Sequence, residues 1–120
     1  MKSRLVLLLV FAAACKSGGE DRGDEKASGP EPIPQEEVAR GDQACHDLAV
    51  RTCRCAQDKP ELAAACQDAM ALPEALRMGV QAAEGKDLEA SVVARLQYEA
   101  RATIAHCFEK LNDLVAQGCR

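Results

Sequence analysis

The sequence predicts an all-α fold, a small bundle of three to four helices stapled by three disulfides. Three observations carry this. Alanine is abundant and β-branched residues are few, in a chain of 120 residues with no tryptophan, one tyrosine and two phenylalanines. Such a composition suits helices packed through small side chains better than a sheet. Val93, Ala100, Cys107 and Leu114 recur seven apart, with Leu96, Ile104 and Leu111 between them, which is the seam of a helix bundle. Finally, six cysteines lie between positions 45 and 119, in a domain (residues 36–120) with few large side chains to build a core. Small domains in that position are commonly held by staples.

The chain opens MKSRLVLLLVFAAAC: Lys2 and Arg4, an apolar run over 5–14, and the small residues Ala12-Ala13-Ala14. That is the layout of a cleavable signal peptide over residues 1–14. As a helix the apolar run measures ~15 Å, about half of a ~30 Å hydrocarbon core, too short for a permanent span. The next residue is Cys15. Here the chain resembles bacterial lipoproteins, in which a lipobox ends in a cysteine that takes a diacylglyceryl group and becomes the acylated first residue. The resemblance covers these 15 residues and implies lipidation of Cys15, with acyl chains such as palmitate, and attachment to a membrane of the cell envelope. By similarity to lipoprotein sorting, Lys16 in place of aspartate implies the outer membrane, facing the periplasm or the cell surface. Cysteine parity agrees: seven is odd, and setting Cys15 aside leaves six that can pair.

Residues 16–35, KSGGEDRGDEKASGPEPIPQ, hold one large apolar side chain, Ile33. With so little to bury, residues 15–35 are expected to form the lipidated cysteine and a disordered tether. Some twenty residues reach about 25 Å on average and roughly 65 Å when stretched. Pro30, Pro32 and Pro34 read as a stiff approach to the first helix.

The first helix is expected over 35–57, with Glu36 and Glu37 in its opening turn after Pro34. Gly41 weakens that opening, so the start is set between Gln35 and Asp42. Val38, Cys45, Leu48, Ala49, Thr52 and Cys53 form its broad buried stripe. Asp58 is placed to cap a second helix over 60–71, with Pro60 and Glu61 in the first turn and Leu62, Cys66 and Ala69 on one face. Pro73 interrupts the hydrogen-bond ladder, so a third helix is read separately over 73–84, with Gly85 just past its end. Asp87 is then the expected cap of a fourth helix over 88–117, stopped by Gly118.

Spacing alone leaves fifteen ways to pair six cysteines. If the second and third helices form one descending arm, the first and last run parallel. Cys45 to Cys55 is then ~15 Å and Cys107 to Cys119 ~18 Å, at 1.5 Å per residue. Those levels match for Cys45–Cys107 and Cys55–Cys119 and leave Cys53–Cys66 across the turn. An antiparallel arrangement would instead give Cys45–Cys119 and Cys53–Cys107.

The formal net charge is −4, and without Lys2 and Arg4 it falls to about −6. An acidic chain almost without aromatics lacks the phosphate-neutralising charge and stacking platforms of nucleic-acid binding. Cys-x-x-Cys is absent, and Cys53-Arg54-Cys55 puts two thiols on different sides of a helix. Ser91 is the one serine beyond the tether, with no base at a useful spacing, and no glycine-rich phosphate loop occurs. The expectation is a non-enzymatic, cofactor-free module that presents a protein-interaction or structural surface to an envelope partner. The alternative is a periplasmic copper or zinc protein in which His46 and His106, each beside a cysteine, ligate together with reduced thiols.

Overall fold

A computed structural model describes residues 29–120, and these form three helices: α1 (Gln35–Asp58), α2 (Ala63–Ala83) and α3 (Ala90–Ala116). α1 starts where the proline run ends, with the Val38 amide donating to the Pro34 carbonyl at 3.1 Å. Glu36 and Glu37 sit in its first turn, where the amide ends favour negative charge. Its buried face is Gly41, Ala44, Cys45, Leu48 and Thr52. Gly41 does not delay the helix; it lies seated against α3. A Cβ built there would stand 2.4 Å from Ile104 Cγ1.

The connection to α2 is a single 3-10 turn, Pro60–Leu62. Asp58, expected to cap the second helix, instead belongs to the last turn of α1, and Leu62 occupies the N-cap position of α2. α2 then runs unbroken through Pro73, so the two helices expected over 60–71 and 73–84 are one. A proline inside a helix forfeits one amide donor and crowds the carbonyl four residues back, a cost of about 3 kcal/mol. Apolar burial on both sides offsets it: Ala69 and Leu76 are buried and Leu72 packs on the same core.

α3 is the long helix with the seven-residue seam, and Ala100, Ile104, Cys107 and Leu114 are its buried apolar positions. It begins at Ala90 with Glu89 as N-cap, whose carbonyl accepts from the Val92 and Val93 amides at 3.0 and 3.1 Å. Asp87 does not cap it; this residue turns the α2–α3 connection with φ 63°. At the other end Gly118 has φ 81°. The Gly118 amide donates to Val115 (3.1 Å) and the Cys119 amide to Leu114 (2.8 Å), a Schellman closure that folds Cys119 back into the core.

The chain therefore goes up, down and up, leaving α1 and α3 parallel. Glu37 meets Arg101, Gly41 meets Ile104, Cys45 is bonded to Cys107 and Cys55 to Cys119, in rising order along both helices. The third bridge, Cys53–Cys66, ties α1 to α2. These are the pairs that follow from two parallel helices at matching levels.

The folded part also begins earlier than the expected boundary at residue 36. Residues 30–34 lie along the α2–α3 end of the bundle as a strap. Ile33 is only 9% exposed and belongs to the core, while the buried Gln97 amide donates to the Glu31 carbonyl at 2.8 Å. The signal peptide, Cys15 and most of the expected tether lie outside the described residues. Among those described, no helix is long and apolar enough to cross a membrane.

Candidate functional site

The six cysteines beyond Cys15 are all engaged in disulfides. Their surroundings differ. Cys45 and Cys107 are 0% exposed, Cys55 is half-buried against a buried Cys119, and Cys53 and Cys66 are both half-buried. Lys59 reinforces the Cys55–Cys119 end by donating from Nζ to the Gln117 carbonyl at 2.6 Å. A cation there also meets the negative end of the α3 dipole.

The two histidines adjoin the same buried bridge and yet point away from it, because adjacent helical residues are about 100° apart. His46 is exposed on α1, its Nδ1 2.9 Å from the Asp42 carbonyl and 3.4 Å from the Asp42 carboxylate. His106 is exposed on α3, in the wall of a groove. Among the described residues no group of three or more histidine, cysteine or acidic side chains is placed to hold a metal ion. With every cysteine from 45 onward oxidised, the thiolates that the copper or zinc reading needs are absent from this fold.

The structure does form grooves that spacing along one helix does not reveal. The first, about 320 Å³, is bounded by all three helices near the α1–α2 turn. Leu48, Leu62, Leu72 and Leu114 give it an apolar floor, and Asp68, His106 and Lys110 lie along its polar edge. Thr52 stands in its wall, 3% exposed, with its hydroxyl lacking a hydrogen-bond partner. The second, about 420 Å³, lies between α1 and α2 at the opposite end, over Val38, Leu76 and Val80. Arg77 lies at its edge, held by the Glu74 carboxylate and by Gln81 Oε1 at 3.0 Å. The Arg77 hydrogen bond draws the Glu74 carboxyl below its ordinary range and raises Arg77 in return. Across α1 and α3, the guanidinium of Arg101 does the same to Glu37, with Nε 2.8 Å from Oε1.

Burial is uneven among the helices. α2 is the most apolar of the three, yet only Ala69 and Leu76 of its 21 residues are buried. Met70 and Met78 are 63% and 59% exposed on it. Leucines 62 and 72 were legible as apolar, but the groove they line depends on how α2 lies against α3, which no single-helix periodicity encodes.

No family model, curated protein or solved structure matches this chain.

Proposed function

We propose that this chain is an envelope lipoprotein: Cys15 carries the lipid anchor, and the three-helix domain serves as a non-catalytic module that binds another envelope protein. One observation carries the reading. Every cysteine from 45 to 119 has a partner within the domain, which leaves Cys15, at the end of a signal-like segment, as the odd one. Three disulfides also fit an oxidising compartment, where such small domains are common. The strap over residues 30–34 connects the anchor side of the chain to a fixed place on the bundle, at the N-terminal end of α1. The first groove, with Leu62 and Leu114, lies at the opposite end. The under-buried α2 supports an interaction role, since exposed methionines adapt to varied partner surfaces.

Intact mass of the protein purified from membranes, alkylated before reduction, tests the anchor. The expected species begins at an acylated Cys15 and carries no alkylation. A chain that begins at an unmodified Cys15 and is recovered from the soluble fraction would overturn the proposal. For the module, a photo-reactive side chain at Met70 or Met78 is expected to cross-link one envelope protein in intact cells. The same probe at Val50, an exposed position on the solvent face of α1, serves as the control. Equal cross-linking from both would remove the case for α2.

A further inference from the structure

The three disulfides are not equivalent, and the difference follows from topology and burial together. Cys45–Cys107 and Cys55–Cys119 join α1 to α3 across 62 and 64 residues. Each has at least one fully or nearly fully buried sulfur residue. Cys53–Cys66 spans only 13 residues and joins two helices that the 3-10 turn already connects. Both of its cysteines are half-buried. The chain around Cys66 offers little obstruction: Ala63, Ala64, Ala65, Gln67 and, one turn on, Met70 are all exposed. Arg54, next to Cys53, is exposed as well.

We propose that Cys53–Cys66 is a thiol–disulfide exchange site that takes a dithiol as its reductant, while the other two bridges hold the fold. In the first step a thiolate of the dithiol attacks one sulfur of the pair, forming a mixed disulfide and expelling the other cysteine as a thiolate. The second thiol of the reductant then attacks the mixed disulfide. It leaves as a cyclic or intramolecular disulfide, and the two protons it gave up are carried by the Cys53 and Cys66 thiols. Two electrons pass from the dithiol to the protein. Access to the sulfur governs such exchange along with thiolate character, and this bridge is the one whose two sulfur residues are both partly open. The segment it releases is the 3-10 turn and the first turn of α2. Leu62 and Ala65, in the wall of the first groove, belong to that segment, so the exchange alters the groove without dismantling the bundle.

The test uses the full oxidised protein without denaturant. Aliquots meet rising dithiothreitol, or a purified Cys-x-x-Cys protein dithiol in a second series. They are then alkylated and analysed by intact mass, peptide mapping and far-UV circular dichroism. The expected result is a species with two labels, on Cys53 and Cys66, that exceeds half of all molecules before any other cysteine is labelled and keeps at least nine-tenths of the helical signal. Opening by dithiothreitol alone assigns the site to small dithiols, and opening in both series extends it to protein dithiols. First labels on Cys55 and Cys119, or a direct passage to six labels, would overturn the proposal. The double variant Cys53→Ala/Cys66→Ala is an independent check. It is expected to fold with the remaining two bridges and to show no labelling over the range that opens the native protein. A variant that fails to fold overturns the claim that the other bridges suffice.

Discussion

Gly41→Ala is the sharpest probe of the α1–α3 interface, because two effects of known size oppose each other there. Replacing glycine by alanine inside a helix ordinarily stabilises by about 0.8–1 kcal/mol. Here the new Cβ would lie 2.4 Å from Ile104 Cγ1, 2.7 Å from Cδ1 and 3.0 Å from Cγ2. Two of those atoms sit at the branch of the side chain, and a β-branched residue on a helix has one strongly preferred χ1 rotamer. Ile104 cannot swing aside. Nor can α1 back away, since Cys45 and Cys107, one turn further along, hold the two helices at a Cα separation of 5.0 Å. Overpacking costs about 1–3 kcal/mol, and this site belongs at the upper end. The net expectation is a loss of about 1–2 kcal/mol, from the same two ranges.

The second half of the test reverses the sign. Ile104→Ala alone should cost about 2–4 kcal/mol, as a buried isoleucine truncation does. In that background Gly41→Ala meets no clash and partly fills the space, so it should stabilise by about 1 kcal/mol, the ordinary propensity gain. Urea unfolding of the oxidised protein, followed by circular dichroism, measures all four corners of this cycle. If Gly41→Ala stabilises the native protein as it would any exposed helix, the close approach of α1 and α3 at this level is wrong.

Three further outcomes are expected. Cys45→Ala/Cys107→Ala opens a loop of 62 residues and should lower the unfolding free energy by about 4 kcal/mol from lost chain constraint; denaturant melts measure it, and a loss below about 2 kcal/mol would contradict the estimate from loop length. Ile33→Ala should cost about 2 kcal/mol, the low end for such truncations because a surface strap can relax, and should speed exchange of the Val38 amide, which donates to the Pro34 carbonyl at the end of the strap; unchanged exchange would mean that the strap is not held by Ile33. Arg101→Gln tests the pairing with Glu37, whose carboxyl Arg101 holds below its ordinary 4.5. A depressed carboxyl contributes stability above its unfolded value and loses it as pH falls through the folded one. The native protein should thus exceed the variant by a constant margin at neutral pH, and that margin should shrink below pH 4.5; a margin that grows on acidification would refute the pairing.

Much of the architecture was legible because it depends on single-helix periodicity. The seven-residue repeat of Val93, Ala100, Cys107 and Leu114 defines α3, and Gly118 ends it for the conformational reason that glycine alone visits φ 81° freely. Cys45–Cys107 and Cys55–Cys119 were legible only on the condition that the first and last helices run parallel, which converts spacing into height, and Cys53–Cys66 was the pair left over. What escaped depends on neighbours. Pro73 breaks a helix by local rules, and only burial on both of its flanks keeps α2 whole. Gly41 looks like a weak link until Ile104 is set against it. Ile33 looks like a stray apolar residue in a tether, though the bundle end has a place for it. Asp58 and Asp87 have cap chemistry, but the 3-10 turn and the positive φ at Asp87 put each out of position. The grooves were illegible for the same reason, since their walls come from three helices at once.

The placement of the strongest restraints follows from the order in which the chain visits its helices. α1–α2 and α2–α3 are joined by short connections, so closing those interfaces takes little loop entropy. α1 and α3 are parallel and can meet only after the whole of α2 has been traversed, which makes theirs the costliest contact to close. It is also the contact that this core is least able to secure by burial alone, since the chain has no tryptophan and Phe108, the phenylalanine among the described residues, is exposed. Both long-range disulfides lie there, as do the Glu37–Arg101 pair and the Gly41–Ile104 approach. Cross-linking gains most from long loops in the unfolded chain, so bridges at this interface stabilise more than the same bridges elsewhere would. The remaining bridge, across a 13-residue loop, contributes least by that argument and can open while the bundle stays closed.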